Sequence, residues 1–182
     1  MTIALLIIVV SAGCKSSNNA DHVSDEDINK YLILPLYNAM EIEVSGEWKT
    51  VPVADSYIRL DPESDRNTIL NHIASELSSG YFNDLKIEIL HQDGENGEDG
   101  MIKINLAEMD SYTGPGSVKA YNSWYDFFQG SAGGTNTTIT LRESFLQRTY
   151  KGEWIEAVQF MYMGEPFPES DHVHLSGIIT RY

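Results

Sequence analysis

Two histidines separated by one residue are the clearest candidate metal ligands in this chain. They occur in Asp171-His172-Val173-His174, and in a strand residues i and i+2 project from the same face. Imidazole nitrogens are common zinc ligands, but a zinc site needs further ligands. Glu165 and Glu169 are nearby, although no spacing rule selects either. The pattern favours the alternative, in which the two imidazoles face solvent on an edge strand without metal.

An acidic loop is the second candidate metal site. Residues 93–100 have the sequence Asp-Gly-Glu-Asn-Gly-Glu-Asp-Gly, and carboxylate oxygens are the ligands that calcium prefers. The spacing does not match the EF-hand loop, because Gly97 occupies the fifth position from Asp93 and Ile104 stands where the terminal Glu is required. Turn-forming residues dominate the stretch. We therefore expect a solvated hairpin tip, with calcium binding by Asp93–Gly100 as the alternative.

Nucleophilic catalysis has weaker support. Ser131 lies in Gly130-Ser-Ala-Gly133, which lacks the G-x-S-x-G frame of a nucleophile elbow. Carboxylate pairs suited to glycoside hydrolysis could occur in any chain this acidic, and the sequence does not place one. The sequence therefore predicts a protein that is not an enzyme and has no catalytic residues, no cofactor and no required metal.

The only cysteine follows an apolar N-terminal run. Residues 1–10 are apolar apart from Thr2, and Ser11-Ala12-Gly13 precedes Cys14. The run is shorter than the roughly 20 residues of a membrane-spanning helix and has the length of a signal-peptide core. Small residues before a cysteine resemble a bacterial lipobox, although Ser11 replaces the usual aliphatic residue and no basic residue precedes the run. The resemblance implies a signal peptide over 1–13 and lipidation of Cys14. The alternative is a core element with a buried cysteine.

The net charge limits the possible partners. The chain has 182 residues, with 27 acidic and 12 basic side chains, and a formal charge of −15. Such a surface repels nucleic acid and anionic headgroups. We therefore expect no nucleic-acid partner, and membrane attachment through acyl chains on the extracytoplasmic side of a bacterial membrane.

An aromatic segment is the candidate contact surface. Residues 121–128 read Tyr-Asn-Ser-Trp-Tyr-Asp-Phe-Phe. The prediction is that they cover the core beside a helix. In the alternative, Tyr121, Trp124 and Tyr125 contact a protein partner, or a small ligand or glycan in a cleft, because aromatic residues dominate binding hot spots.

The N-terminal third of the mature chain is predicted to be a tether followed by a hairpin. Lys15–Asp27 is rich in Ser, Asn and Asp and has little to bury. A short helix over 28–33, capped by Ser24–Asp27 and stopped by Pro35, is possible. Residues 41–44 and 48–53 alternate around a turn at 45–47, which is typical of a hairpin. The lipidated Cys and tether are assigned to 14–40, and one domain to 41–182.

The rest of the chain alternates between helices and strands. Ile69, Ile73 and Leu77 are one turn apart and predict a helix that starts near Asp65 and ends at Gly80. Period-two alternation predicts an antiparallel hairpin of 85–90 with 101–106. A second helix is predicted from Thr135 or Asn136 to Gln147, and strands over 155–163 and 172–179. This order predicts an α+β fold with a mixed, largely antiparallel sheet and two helices packed on one face.

From about Thr50 to Ile179 the order resembles the GerMN domain of sporulation and spore-germination lipoproteins. Three parts of the chain carry the likeness. Residues 51–53 and 69–80 resemble the entering strand and first helix of the family, and residues 85–106 resemble its strand pair. Its small-residue turn, second helix and closing strand are resembled by Gly130–Gly133, Thr138–Leu141, and Val158–Phe160 with Gly164. The acidic loop at 93–100 and the stretch after Gly164 depart from the family pattern. The resemblance implies a non-catalytic, extracytoplasmic interaction or assembly module with an envelope protein as partner. It supplies no catalytic residues.

Overall fold

The computed structural model describes residues 30–90 and 100–182, which form an α+β fold of two sheets and helices around one core. The strands are β1 (Leu32–Val44), β2 (Glu47–Leu60), β3 (Lys86–Leu90), β4 (Met101–Ala107), β5 (Ala157–Tyr162), β6 (Glu165–Pro166) and β7 (Ile178–Thr180). The helices are α1 (Arg66–Tyr81), the single-turn α2 (Trp124–Phe127) and α3 (Ser131–Leu146). None of the helices described in these two ranges is long and apolar enough to cross a membrane.

Strands β1 and β2 form a long antiparallel hairpin. The prediction of a helix over 28–33 is wrong from Leu32 onwards, and the predicted domain boundary at 41 falls inside β1. The reason is alternation: Leu34 and Leu36 are buried in the core, a period-two burial that only a strand provides. Pro35 does not interrupt the strand because β1 lies at the edge of its sheet. The predicted turn is confirmed at Ser45 and Gly46, which both have positive φ.

Helix α3 covers the other edge of β1. The backbone groups along that edge bond to polar side chains on one side of α3 and to the side chain of its C-cap residue, Gln147. These bonds are Ala39 N–H to Asn136 Oδ1 at 3.1 Å, Tyr37 N–H to Ser144 Oγ at 2.9 Å, and Gln147 Nε2 to the Pro35 carbonyl at 2.7 Å. The helix thus protects an edge that would otherwise expose unpaired backbone groups.

Helix α1 confirms the sequence prediction. Asp65 caps it by accepting a hydrogen bond from Thr68 N–H at 2.9 Å. Ile69, Ile73 and Leu77 are buried in the core. The helix ends at Tyr81 and not at Gly80, so the predicted glycine stop is wrong. The left-handed conformation that ends many helices occurs further on, at Asn83 and Asp84.

The second sheet is mixed. β3 pairs antiparallel with β4, as predicted, β4 pairs in parallel with β5, and β6 and β7 pair antiparallel with β5. The core side of this sheet consists of alternating apolar residues: Ile87, Ile89, Ile102, Ile104, Leu106, Val158 and Phe160. On the opposite face Asn105 is buried, and its side-chain amide donates to Glu88 and accepts from Gly164 N–H.

Helix α3 starts four residues earlier than the predicted Thr135. The GerMN resemblance implies a small-residue turn at Gly130–Gly133, but this stretch contains the N-cap Gly130 and the first residues of the helix. Gly134 is required there because a Cβ at this position would lie 2.4 Å from the carbonyl oxygen of His172. The 172–179 strand is wrong as predicted, since only Ile178–Thr180 are strand. His172 to Leu175 instead lie against α3, with Val173 and Leu175 buried.

Candidate functional site

A buried carboxylate positions the aromatic segment. Glu108 follows β4, is only 6% exposed, and accepts hydrogen bonds from Trp124 N–H at 2.9 Å and Tyr125 N–H at 3.0 Å. These are amides of the first turn of α2, where a helix offers unpaired donors. The Tyr162 hydroxyl donates a third bond at 2.8 Å. Burial, and then the Glu108 carboxylate, raise the pKa of Tyr162 far above its ordinary value, so the hydroxyl keeps its proton and remains a donor.

Trp124 is a core residue and not a contact for a ligand. Its side chain is fully buried, its ring centroid lies 4.8 Å from that of Phe82, and its Nε1 donates to the Lys86 carbonyl at 3.2 Å. The prediction that the aromatic segment covers the core is confirmed for Trp124. Its assignment as a possible partner or ligand contact is wrong, because the indole has no exposed surface.

Tyr121 lies beside an open cleft of about 370 Å³, bounded by β1, the C-terminal end of α1, α2 and α3. Its side chain is 55% exposed, and its ring contacts Phe127 with a centroid distance of 5.3 Å. Of the three aromatic residues singled out from the sequence, only Tyr121 lines this cleft. Tyr125 is half-buried and is not part of the lining.

The backbone of Tyr121 is held in an unusual conformation. Its φ is 63°, which is uncommon for a non-glycine residue and costs free energy. Two hydrogen bonds hold it there: its N–H donates to Asp126 Oδ2 at 2.9 Å, and its carbonyl accepts from Asn83 Nδ2 at 3.0 Å. The strain is thus maintained at the rim of the cleft, where backbone strain often marks a binding site.

The rest of the cleft lining is mixed, because polar side chains lie beside the rings of Phe82 and Phe127. It includes amides and a carboxylate, from Asn38, Asp126, Gln129 and Asn136. The Tyr81 hydroxyl, also in the lining, donates to Asp55 at 2.8 Å. Burial, together with Asp55, raises the pKa of Tyr81 to about 12. Such groups orient a small polar molecule by hydrogen bonds.

The two histidines do not project from a strand. His172 and His174 are exposed in the irregular segment before β7. Within 30–90 and 100–182, no three His, Cys, Asp or Glu side chains come close enough to hold a metal. Glu165 and Glu169, the candidate third ligands, are exposed. The zinc hypothesis therefore finds no third ligand in the part of the chain that the structure describes.

Ser131 and His172 are neighbours, a proximity that the sequence does not predict. Their Oγ and Nδ1 atoms are 3.4 Å apart on the surface. A serine nucleophile needs a shorter bond to its base and a third group that orients the imidazole. No hydrogen bond or ion pair joins a carboxylate to His172 among the described residues. The pair lacks the orienting group of a catalytic triad.

Several sequence predictions fall on residues outside the described ranges. These are the signal peptide over 1–13, the lipidation of Cys14, the tether over 15–27 and residues 93–99 of the acidic loop. They remain predictions.

The most exposed apolar surface was missed at the sequence level. It is the distal part of the β1–β2 hairpin, residues 40–51, which we call the hairpin arm. Met40 is 51% exposed, Val44 40% and Trp48 70%. Alternation in β1 puts Met40 and Val44 on the same face as the buried Leu34 and Leu36, so the core-facing side of the hairpin continues outward without cover. The available signal was a tryptophan next to a two-residue turn, where a solvated hairpin tip normally has polar residues.

The last candidate that the sequence missed is Glu108, whose role depends on three partners distant in the chain. A single acidic residue after a strand gives no signal of such a role.

No family model, curated protein or solved structure matches this chain, so the GerMN resemblance rests on its apolar pattern alone.

Proposed function

We propose that this chain is a lipid-anchored bacterial envelope protein whose domain binds another envelope protein through the hairpin arm, without catalysing a reaction. The single observation that supports the partner is the exposure of Trp48, Met40 and Val44 on one projecting element. The lipobox-like sequence ending at Cys14 supports the anchor. The GerMN resemblance suggests sporulation or germination as the setting.

The chemistry of the arm favours a protein over a membrane. Trp48 is the residue type most enriched at binding hot spots. It pairs with Glu43 across the hairpin, so its side chain lies on the opposite face of the arm from Met40 and Val44. The arm therefore exposes apolar side chains on both faces. Glu41, Glu43 and Glu47 are exposed around them. These carboxylates repel anionic headgroups, and a partner with an apolar centre and a basic rim would complement them.

Site-specific photo-crosslinking in cells tests the partner. A photoreactive residue at Trp48 should give a discrete crosslinked protein, whereas the same residue at the exposed His72 of α1 should not. Trp48→Ala should also weaken co-purification of that protein, by about tenfold or more if the indole is a hot spot. Crosslinks that are absent at Trp48, or identical at both positions, would refute an arm-mediated contact.

The anchor is tested separately by Cys14→Ala. This variant should move from the membrane fraction to the soluble fraction and lose incorporation of a palmitate analogue, with its fold intact. If the wild type takes up no label and Cys14→Ala stays in the membrane, the chain is not a lipoprotein. The crosslinking result does not depend on this outcome.

A second candidate function is the binding of a small hydroxylated ligand, such as a glycan, in the cleft beside Tyr121. The observation that favours it is the strained backbone of Tyr121 at a cleft that has polar side chains and an exposed aromatic ring. Tyr121→Ala should abolish glycan binding in a saccharide array, and Tyr125→Ala, outside the lining, should not. An array on which the wild-type chain binds no saccharide would remove the glycan from consideration.

A further inference from the structure

A cavity on the C-terminal side of α3 has a positively charged lining, in contrast to the acidic composition of the chain. Its volume is about 480 Å³, and its lining includes Arg142, Arg148, His174, Ser176 and Thr180. No Asp or Glu side chain contributes to this lining. In a chain with 27 acidic and 12 basic side chains, two arginines around a cavity without carboxylates are unexpected.

Arg142 has no anionic partner within the described ranges. Its Nε is buried and has no hydrogen-bond acceptor, and the guanidinium takes part in none of the ion pairs there. A buried donor without an acceptor destabilises the folded protein, and an acceptor supplied by a ligand would relieve this cost. Arg148 differs, because its Nε donates to Glu143 Oε2 at 3.0 Å. The positive charge left over at the cavity therefore comes chiefly from Arg142.

A second cation, Arg181, lies close to the cavity, although its own side chain is not part of the lining. Arg181 is 6% exposed, and its neighbours in the chain, Thr180 and Tyr182, line the cavity. Its Nη2 donates to the carbonyls of Gln147, at 2.8 Å, and Tyr150, while its Nε is buried without an acceptor. Carbonyl dipoles orient this guanidinium, but no carboxylate neutralises it among the described residues.

Arg142 gives the cavity a positive potential, because its guanidinium lines the cavity and takes part in none of the ion pairs of the described residues. Burying a charge without a counter-ion is costly, and an anion bound nearby offsets this cost. The wall beneath is rigid, because Arg148 Nη1 donates to the Arg181 carbonyl and the Arg181 N–H donates to the Glu156 carbonyl at 2.8 Å. The cavity is thus preorganised for a negative group and is not closed by a carboxylate of the described chain.

We propose that this cavity binds a phosphate group, either as inorganic phosphate or as the phosphomonoester of a small molecule. Arginine guanidinium groups offer planar, paired donors that match phosphate oxygens. Ser176 adds a hydroxyl group to the lining and His174 adds an imidazole, whereas the Thr180 hydroxyl already donates to the Tyr182 carbonyl oxygen at 2.9 Å. A phosphate has more acceptor oxygens than a carboxylate, and so it uses donors from more than one side of the cavity.

Isothermal titration calorimetry on the full 182-residue chain in detergent tests the proposal, with inorganic phosphate, glycerol phosphate and acetate as probes. Arg142→Gln should weaken phosphate binding by about tenfold or more, as expected when a charge-assisted contact is lost. Arg66→Gln is the matched control, since it removes the same charge from an exposed arginine on α1 that pairs with Glu153. His174→Gln alters an exposed side chain, so its effect on binding can be measured even if Arg142→Gln does not fold.

Weaker phosphate binding in Arg142→Gln or His174→Gln, with Arg66→Gln unchanged, supports the site. Tighter binding of glycerol phosphate than of inorganic phosphate assigns a phosphomonoester, and the reverse order assigns the free ion. The proposal is overturned if the wild-type chain shows no saturable phosphate binding. It is also overturned if Arg66→Gln weakens binding as much as the cavity variants, or if acetate binds as tightly as phosphate.

Discussion

Replacing Gly134 by alanine should destabilise the protein, although alanine is the better helix former. A Cβ at this position would lie 2.4 Å from His172 O, 2.8 Å from His172 C and 3.0 Å from His172 Cβ. Ordinary contacts begin near 3.4 Å, so the backbone at His172 must move by about 1 Å. Overpacking of this kind costs about 1–3 kcal/mol, and alanine's helix preference returns at most about 1 kcal/mol.

The adjacent Gly133 is a matched control in the same helical turn. Its nearest neighbour would be the Phe127 carbonyl oxygen at 3.9 Å, so alanine fits there without displacement. Gly133→Ala should raise the unfolding free energy by about 0.4–1 kcal/mol, because alanine restricts the unfolded chain. Gly134→Ala should lower it by about 1–2 kcal/mol after the helix preference is subtracted.

Urea denaturation of the wild type and both variants measures the difference. With a slope near 2 kcal/mol per molar urea, the Gly134→Ala midpoint should fall by about 0.5–1 M. A local readout is amide exchange at His174, whose N–H donates to Thr138 Oγ1 at 3.0 Å and should exchange faster when the segment shifts. If both variants were stabilised, or both midpoints moved equally, the close contact between α3 and residue 172 would be refuted.

The other predictions concern the core and two tyrosines. In Glu108→Gln the new side-chain NH2 group faces at least one of the three donors that the carboxylate accepts from. Urea denaturation should therefore show an unfolding free energy that is lower by about 2–4 kcal/mol. Tyr162→Phe removes one neutral donor and should lower the unfolding free energy by about 1 kcal/mol. The control, Glu165→Gln, changes an exposed side chain and should leave the unfolding free energy unchanged. Equal losses of stability in all three variants would contradict the hydrogen-bond network around Glu108. Ile73→Ala should cost about 2–5 kcal/mol in the same assay, since Ile73 is fully buried, and a loss below 1 kcal/mol would place it outside the core. The pKa of Tyr81 is raised from 10 to about 12 in the folded protein. The protonated Tyr81 hydroxyl therefore stabilises the fold fully below pH 10, and this stabilisation is lost as the pH rises from 10 towards 12. Tyr81→Phe should flatten this alkaline decline in melting temperature, and an unchanged profile would show that Tyr81 is not its source.

The sequence was sufficient wherever a single periodicity decided the structure. Ile69, Ile73 and Leu77 predicted the buried face of α1. An Asp or Ser within 61–65 was expected as its cap, and the structure has Asp65 in that role. Alternation predicted the antiparallel pairing of β3 with β4. Each of these depends on neighbours within a few residues, and local side-chain spacing expresses such contacts directly. The α+β class followed from the order of these elements.

The sequence failed where distant segments compete for the same residues. Local signals favoured a helix stopped by Pro35, but pairing with β2 and the cover of α3 make residues 32–44 a strand. The resemblance implied a small-residue turn at Gly130–Gly133, yet the approach of His172 permits no side chain at Gly134, so glycine lies inside a helix. These outcomes depend on tertiary contacts, some of which join residues as many as 112 positions apart, and no local pattern records such contacts.

The candidate sites divide in the same way. The sequence alone determined the acidic net charge, the lipobox-like stretch before Cys14 and the periodic apolar residues of the helices and strands. These are properties of the composition and of the order of neighbouring residues. Only the tertiary structure decided that Trp124 is buried while Trp48 is exposed, and that Arg142, Arg148 and His174 line one cavity. The physical reason is that burial and electrostatic potential are set by which surfaces meet in the fold, so identical side chains acquire opposite roles at different positions.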